Sequence, residues 1–362
     1  TMTGMMGSVL LEAKLDPTII AGGKLPQLES NAVCGENNNY LVFESDESDG
    51  TMARYQPKYL VISNLEFDHP DHYPDGLNGV ITAFENYLTS LPQDTTVIFN
   101  VACPETTKLY KKYQHSLNAV SVYCGEDSSV AELGFRPQYW LENTRLHAEG
   151  GFTAEVWNFA GELGKIWLQV PGVHNLHNAL LCAAVGHLLN IDFPVMRRAL
   201  ENFKGMGRRF EILGKINNAI VVDDYAHHPT EVEVTLEAAK KYKIPLISDT
   251  GIRYPGDIAK AIAFGADTIM IGGLFSGTDE SPGEIFYREG KPYKMSWGSC
   301  TETAILQKQL IYSVKIKGKI KDVLRLAKRS IIPKKPQKSG IFEEGIQNAI
   351  PYKGSVNEVI LN

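Results

Sequence analysis

The first part of the chain alternates short apolar runs with longer stretches of helical spacing. Tyr40-Leu41-Val42-Phe43 is one such run and ends in an acidic stretch, Glu44 to Gly50. Tyr59 to Ser63, ending at Asn64, and Thr96 to Asn100 are two more. Each is followed by polar loop residues and then a helical pattern, a rhythm that predicts an α/β fold. In such sheets ligands bind beyond the carboxyl ends of the strands, which singles out Glu44–Gly50 and Asn64–Tyr73. Between 130 and 170 the pattern changes to alternation, as in Glu155-Val156-Trp157 and Lys165-Ile166-Trp167, and predicts antiparallel strands. Helices are expected from about Leu176 to Leu189 and from near Pro194 to near Lys204. Gly205 and Gly207 then break the pattern and mark a boundary.

From Ala219 onward the order is strand, helix, strand, helix, strand. The segments are Ala219–Asp223, Pro229–Tyr242, Pro245–Ser248, Asp257–Phe264 and Thr268–Ile271. The strands near 220, 246 and 269 are expected to share one small parallel sheet. Residues 311–338 are lysine-rich with weak periodicity and read as a solvated helix or a mobile segment, with disorder expected for Lys334–Ser339.

With 362 residues the chain is long enough for two or three domains. A net charge of -6 argues against a general nucleic-acid binder, which would carry a basic face. Five cysteines, with no C-x-x-C pair, fit reduced thiols in a cytoplasmic protein rather than a disulfide framework or a zinc site. No apolar run is long enough to cross a bilayer, so no membrane partner is expected.

Candidate chemistry begins at the strand ends. Glu44, Asp46 and Glu47 are three carboxylates suited to a hard cation such as Mg²⁺. Asn64 to Tyr73 packs His69 and His72 among Glu66, Asp68 and Asp71. Taken singly, these residues have plainer readings: acidic loops are commonly just solvated. His174 could cap a helix, Asn178 could be a buried helix residue, and Arg208 and Arg209 could be surface charge. His227 and His228 could form a turn before Pro229.

As an ordered set they are more specific. Glu44–Gly50, Asn64–Tyr73, Pro171–Ala179, Gly207–Glu211 and Asp223–Glu231 occur in the order found in the Mur ligase family, on its alanine-adding branch, and the region from about Gly4 to Tyr242 resembles that family. The resemblance implies an ATP-dependent amide ligase of peptidoglycan precursor synthesis, which joins L-alanine to UDP-N-acetylmuramate through an acyl phosphate. It implies ATP, Mg²⁺ and a UDP-sugar as small-molecule partners. Glu44 and His69 would hold magnesium. Asn175 and Asn178 would lie at the adenine, Arg209 would neutralise a phosphate, Asp224 would hold the nucleotide, and His227 would sit near the reacting groups. The family's glycine-rich Gly-Lys-Thr loop does not occur in these residues: Gly23-Lys24 and Gly164-Lys165 are followed by Leu25 and Ile166. Thr1-Met2-Thr3-Gly4 resembles the stretch just after that loop. Catalysis by this fragment alone is therefore expected to be impaired or absent.

Beyond Lys243 the vocabulary changes. Asp249–Asp257, Gly265-Ala266-Asp267, Gly272–Glu284 and Pro351–Val356 resemble the C-terminal part of the IMP dehydrogenase/GMP reductase family, a TIM-barrel family. By that resemblance Asp249 would bind ribose hydroxyls, and the amides of Gly251, Gly272 and Gly273 the phosphate of a purine monophosphate. Gly273 leans toward the reductase side. NAD(P) would be needed only if this second portion were complete. The loop bearing that family's catalytic cysteine precedes the Asp249 strand, and no cysteine lies between Cys182 and Cys300. Cys300 itself falls after the glycine strands.

The expected fold class is therefore α/β: a Mur ligase central domain, with a parallel sheet flanked by helices and a truncated phosphate loop, followed by a small α/β unit with the last strands of a barrel. The expected domains are 1-203 for the ATP-binding domain, 204-242 for the start of the Mur ligase C-terminal domain, and 243-362 for the barrel fragment. Three functions compete: the ligase, a purine nucleotide oxidoreductase fragment, and a non-catalytic chimeric gene product.

Overall fold

A computed structural model describes residues 1–37, 39–124, 133–148, 151–217, 219–226, 228–297 and 347–361. The chain divides into two units, Thr1–His228 and Pro229–Asn362.

Unit 1 opens with α1 (Met2–Glu12), which buries Thr3, Gly4, Met5, Met6, Gly7, Val9 and Leu10 and so carries apolar contacts around most of its circumference. Its small residues allow close packing: a Cβ on Gly4 would stand 2.5 Å from Met206 Sδ, and one on Gly7 2.6 Å from Ile19 Cδ1. β1 (Thr18–Leu25) is the middle strand of a three-stranded sheet, antiparallel to β2 (Ser30–Val33) and parallel to β3 (Leu41–Phe43).

A six-stranded sheet follows in simple sequence order. β4 (Tyr59–Ile62), β5 (Thr96–Asn100), β6 (Asn118–Tyr123) and β7 (Tyr139–Leu146) are parallel. α2 (Leu77–Ser90) and α3 (Pro104–Tyr113) make the first two crossovers. β8 (Phe152–Asn158) and β9 (Gly161–Leu168) then run antiparallel, as the alternation between 130 and 170 predicts. β5 shows why the parallel part reads as a continuous apolar run. Val97 and Phe99 enter one core cluster while Ile98, pointing the other way, enters a second. α4 (Val173–Leu188) and α5 (Phe193–Glu201) complete the second cluster with Leu176, Leu180, Leu200 and, just beyond, Phe203. Both helices sit within a few residues of their expected positions. β10 (Glu211–Ile216) and β11 (Ala219–Asp223) close unit 1 as an antiparallel pair.

Unit 2 contains α6 (Pro229–Tyr242), β12 (Ile247–Asp249), α7 (Pro255–Ala263) and β13 (Thr268–Met270), with β12 and β13 parallel. β12 starts after Pro245, which has no N–H to give a ladder. β14 (Ile285–Arg288) and β15 (Lys291–Trp297) form a hairpin that the sequence reading did not identify. Its turn residues, Glu289 and Gly290, both have positive φ, at 53° and 76°, as a tight two-residue hairpin requires. β16 (Gln347–Pro351) pairs antiparallel with β15, and α8 (Val356–Leu361) follows.

One expectation is overturned. The strands near 220, 246 and 269 do not form one sheet: β11 pairs with β10, and β12 pairs with β13. The physical reason is loop closure. β10 and β11 are near neighbours in sequence, so their antiparallel pairing costs little chain entropy, whereas a β11–β12 pairing would need α6 as a crossover. The lysine-rich stretch 311–338, including Lys334–Ser339, lies outside the described residues.

Candidate active site

The site of unit 1 is built where β1, β3 and β4 end. Glu44 follows β3 and continues its pairing, donating its backbone N–H to Ile20 O at 3.1 Å. Its carboxylate Oε2 accepts the Gly22 amide at 3.3 Å. Gly22 is a tight approach: a Cβ there would lie 3.0 Å from Glu44 Oε1. Two residues further along the same strand, Lys24 O accepts the Gly207 amide at 2.8 Å. The Gly205–Glu211 turn, which carries Arg208 and Arg209, is thereby tied to the end of β1.

The charges of Glu44 and Arg209 are both felt at the Thr1 amino group. Burial pushes the Thr1 amino group below its ordinary value; Glu44 pulls it up and Arg209 pushes it down. Arg208 and Arg209 lie over the Tyr225 ring at 4.6 and 5.8 Å. Arg208 Nε also stands 3.5 Å from Asp223 Oδ2. Asp224, at the end of β11, is half-buried. His227 lies outside the described residues, while His228 Nδ1 stands 3.4 Å from Glu66 Oε2.

A second group gathers at the end of β4. Asp46, Glu47 and His69 each offer a ligand atom, all within 4.8 Å of one another. His69 Nε2 is 3.8 Å from Glu47 Oε1 and 3.7 Å from Asp68 Oδ2. The loop is held locally: His69 has a positive φ of 53°, and its amide donates to Asp68 Oδ1 at 2.7 Å. The Tyr73 hydroxyl donates to Glu47 O at 2.6 Å. Burial raises the Tyr73 hydroxyl above its ordinary value, with Glu47, Asp46 and Asp49 adding to the effect. Bonds from Ser48 hold Asp46 below the usual carboxylate value. Two carboxylates and one imidazole form an oxygen-dominated donor set, which fits a hard divalent cation such as Mg²⁺.

The sequence reading selected Glu44 and His69 as metal ligands. The compact donor group pairs His69 with Asp46 and Glu47; Glu44 is engaged with the Gly22 amide. The role of Gly22 was not read from sequence. The available signal was the Gly22-Gly23 pair inside a β-rich run.

Asn175 and Asn178 lie on the first turns of α4. Asn175 is buried and donates its Nδ2 to Pro171 O at 2.6 Å, which stitches the helix start to the preceding loop. Asn178 Nδ2 approaches Asn175 Oδ1 at 3.5 Å. Beside them, burial pushes the His177 imidazole down to about 4, with His174 contributing. An uncharged ring is thus kept beside the asparagine pair.

In unit 2, Asp249 ends β12 and is exposed, and its register partner Met270 ends β13. Thr250 and Gly251 turn with positive φ of 69° and 77°. Gly251, Gly272 and Gly273 have no heavy atom within 4 Å of an added Cβ, so open space faces all three. The structure thus gathers these four residues at the carboxyl ends of two paired parallel strands. Cys300 lies outside the described residues. Among the described cysteines, Cys34 is exposed and Cys124 and Cys182 are buried, and none is in a disulfide.

With the acids, arginines and glycines of both units placed, comparison with known proteins shows which families the two portions resemble. Residues 12–186 match the Mur ligase middle domain, and residues 226–362 match the IMP dehydrogenase / GMP reductase domain. The chain thus joins a Mur ligase portion to an IMP dehydrogenase/GMP reductase portion. Over 240 residues it is 40% identical to the UDP-N-acetylmuramate–L-alanine ligase of Crocosphaera subtropica, an alignment covering 66% of this chain and 43% of that protein. It is 34% identical over 295 residues to the ligase of the same name from Nostoc punctiforme, covering 79% of this chain and 57% of that one. The crystal structure of UDP-N-acetylmuramate–alanine ligase from Thermotoga maritima superposes with a TM-score of 0.56 at 28% identity, covering 74% of this chain and 58% of that one. The chain spans about half the length of the curated relatives it matches. No described helix is long and apolar enough to cross a membrane.

Proposed function

We propose that unit 1 is the ATP- and Mg²⁺-handling portion of an amide ligase of peptidoglycan precursor synthesis, one that joins L-alanine to UDP-N-acetylmuramate through an acyl phosphate. The observation that carries this reading is the cation-competent group of Asp46, Glu47 and His69 at the β4 end, with Glu44 on the same acidic stretch. A bound Mg²⁺ would neutralise charge on the transferring phosphoryl group. Glu44, with Asp46, Glu47 and His69, would hold that ion. Arg209 would face phosphate oxygens, and Tyr225 beneath it would limit its motion. Asn175 and Asn178 would meet the adenine and Asp224 the nucleotide, with His227 near the reacting groups. We assign 1-203 to the ATP-binding domain, 204-242 to the start of the Mur ligase C-terminal domain, and 243-362 to the barrel-family portion, with the whole acting in the cytoplasm.

The test is calorimetric titration of this chain with ATP in the presence and absence of Mg²⁺. Mg²⁺-dependent binding that is lost in Glu44→Ala is expected. Binding that ignores both Mg²⁺ and Glu44 would remove the basis of the reading.

A second reading applies to unit 2. The four residues Asp249, Gly251, Gly272 and Gly273 suit a purine monophosphate, with the acid on ribose and backbone amides on phosphate. IMP or GMP binding that disappears in Asp249→Ala is expected; unchanged binding in that variant would reject it. If the folded chain binds neither nucleotide, the non-catalytic chimeric product stands.

A further inference from the structure

Lys294, on β15, is an unusual interior residue. It is 4% exposed, although lysine is almost never fully buried without an ionic partner. Among the described residues its ammonium meets no carboxylate. It donates instead to three backbone carbonyls of one turn: Ser281 O at 2.7 Å, Thr278 O at 2.8 Å and Asp279 O at 3.3 Å. An ammonium has three N–H donors and no acceptor, so its hydrogen-bonding capacity is filled by this one turn.

The turn is otherwise self-contained. Thr278 is fully buried and its hydroxyl donates to Phe275 O at 2.8 Å. The Asp279 amide donates to Gly354 O at 2.8 Å, and the Tyr352 hydroxyl to Asp279 Oδ1 at 2.7 Å. Neither Asp279 Oδ1 nor Glu280 Oε2, which accepts the Val356 amide, is used by the ammonium. Three carbonyl oxygens converging on one point are the coordination that proteins offer to a weakly hydrated monovalent cation. Thr278 O also accepts the Ser281 hydroxyl at 2.8 Å and the Ser281 amide at 3.2 Å, so without a positive charge there the Asp279 and Ser281 carbonyls would lose the donor they share and the three oxygens would repel one another.

We propose that the Thr278–Ser281 turn is a carbonyl cage for a monovalent cation of ammonium or potassium size, and that the Lys294 side chain occupies it as a covalently tethered ion. Removing the tethered charge makes the turn dependent on a cation from solution. Met fits the test because it reproduces the lysine stem to Cε and leaves a space the size of the missing ammonium. The inference is independent of the ligase reading of unit 1 and needs no nucleotide.

The experiment is hydrogen exchange at the Thr278, Asp279 and Ser281 amides in the full chain. Lys294→Met in tetramethylammonium chloride should exchange at these amides about tenfold faster than the parent. Equal concentrations of ammonium or potassium chloride should bring exchange back to within about twofold, while the parent should respond to none of these salts. Unchanged exchange in the variant, or acceleration that ammonium and tetramethylammonium affect equally, would overturn the cage. If Lys294→Met loses protection throughout unit 2, Lys294→Arg decides. Its planar guanidinium keeps the charge but not the three-fold donor geometry. Selective loss of protection at 278–281 with an intact β14–β15 hairpin is then expected, and parent-like protection of the turn would refute the proposal.

Discussion

Gly22→Ala gives a sharp test of how the strand end positions Glu44. Successive residues of β1 face opposite ways. A methyl group on Gly22 would lie 3.0 Å from Glu44 Oε1, 3.3 Å from its Cδ and 3.4 Å from Oε2. One on Gly23 would lie 3.5 Å from Met206 Cε and 3.7 Å from Gly207 O, which is ordinary contact. Neither glycine has a positive φ, so alanine is tolerated by the backbone at both. In Gly22→Ala the carboxylate must retreat by a few tenths of an ångström. The Gly22 N–H to Oε2 bond, already long at 3.3 Å, then moves out of range. A charge-assisted bond contributes about 1.5–3 kcal/mol when buried; Glu44 is exposed, so about 0.5–1 kcal/mol is expected here. If Glu44 serves a cation bound with nucleotide, Mg²⁺-dependent ATP affinity should fall about two- to fivefold in Gly22→Ala. It should be unchanged in Gly23→Ala, with both variants melting within a few degrees of the parent. The assay is calorimetry beside thermal denaturation. Equal weakening in the two variants, or none in either, would refute this account of Glu44.

Burial holds the His177 imidazole at about 4. Between an ordinary histidine value and about 4 the unfolded chain binds the extra proton and the folded chain does not, so stability is full above this window and is lost as pH falls through it. His177 should account for about 3 kcal/mol of the stability lost between pH 7 and pH 4, a share that should be absent in His177→Gln, as read from urea midpoints. Phe203, 1% exposed in the larger core cluster, should cost roughly 3–5 kcal/mol on truncation to alanine, measured by denaturant unfolding. Burial pushes the Cys182 thiol up to about 12 and that of Cys124 higher still. An alkylating reagent should therefore label exposed Cys34 in the folded chain and reach Cys124 and Cys182 only on unfolding, as mass spectrometry would report.

Much of the architecture was legible because period and length are local properties. β5 has an unbroken apolar centre, Val97 to Phe99, α4 carries its apolar residues on helical spacing, and β8 and β9 alternate. The hairpin of β14 and β15 is equally local, and its sequence signal is the Glu289-Gly290 pair at the turn. The site was legible as a set of residues and not as a geometry. Asp46 and Glu47 were visible as strand-end acids, but their closeness to His69 depends on a positive-φ turn and on the Tyr73 hydroxyl bond. Asn175 was read as a ligand contact, and only coordinates revealed its bond to Pro171.

The amino-acid order by itself determined the two-part character of the chain, a good part of its strands and helices, β5, α4 and α6 among them, and the acids, arginines and glycines near their ends. These follow from side-chain periodicity and backbone chemistry within a few residues. Tertiary structure alone decided which strands pair, that Glu44 leans on the Gly22 amide while His69 joins Asp46 and Glu47, and that Lys294 turns inward to three carbonyls. Such outcomes depend on atoms brought together from distant positions, where loop closure, burial and competition among hydrogen-bond partners act at once, and no local window of sequence carries them.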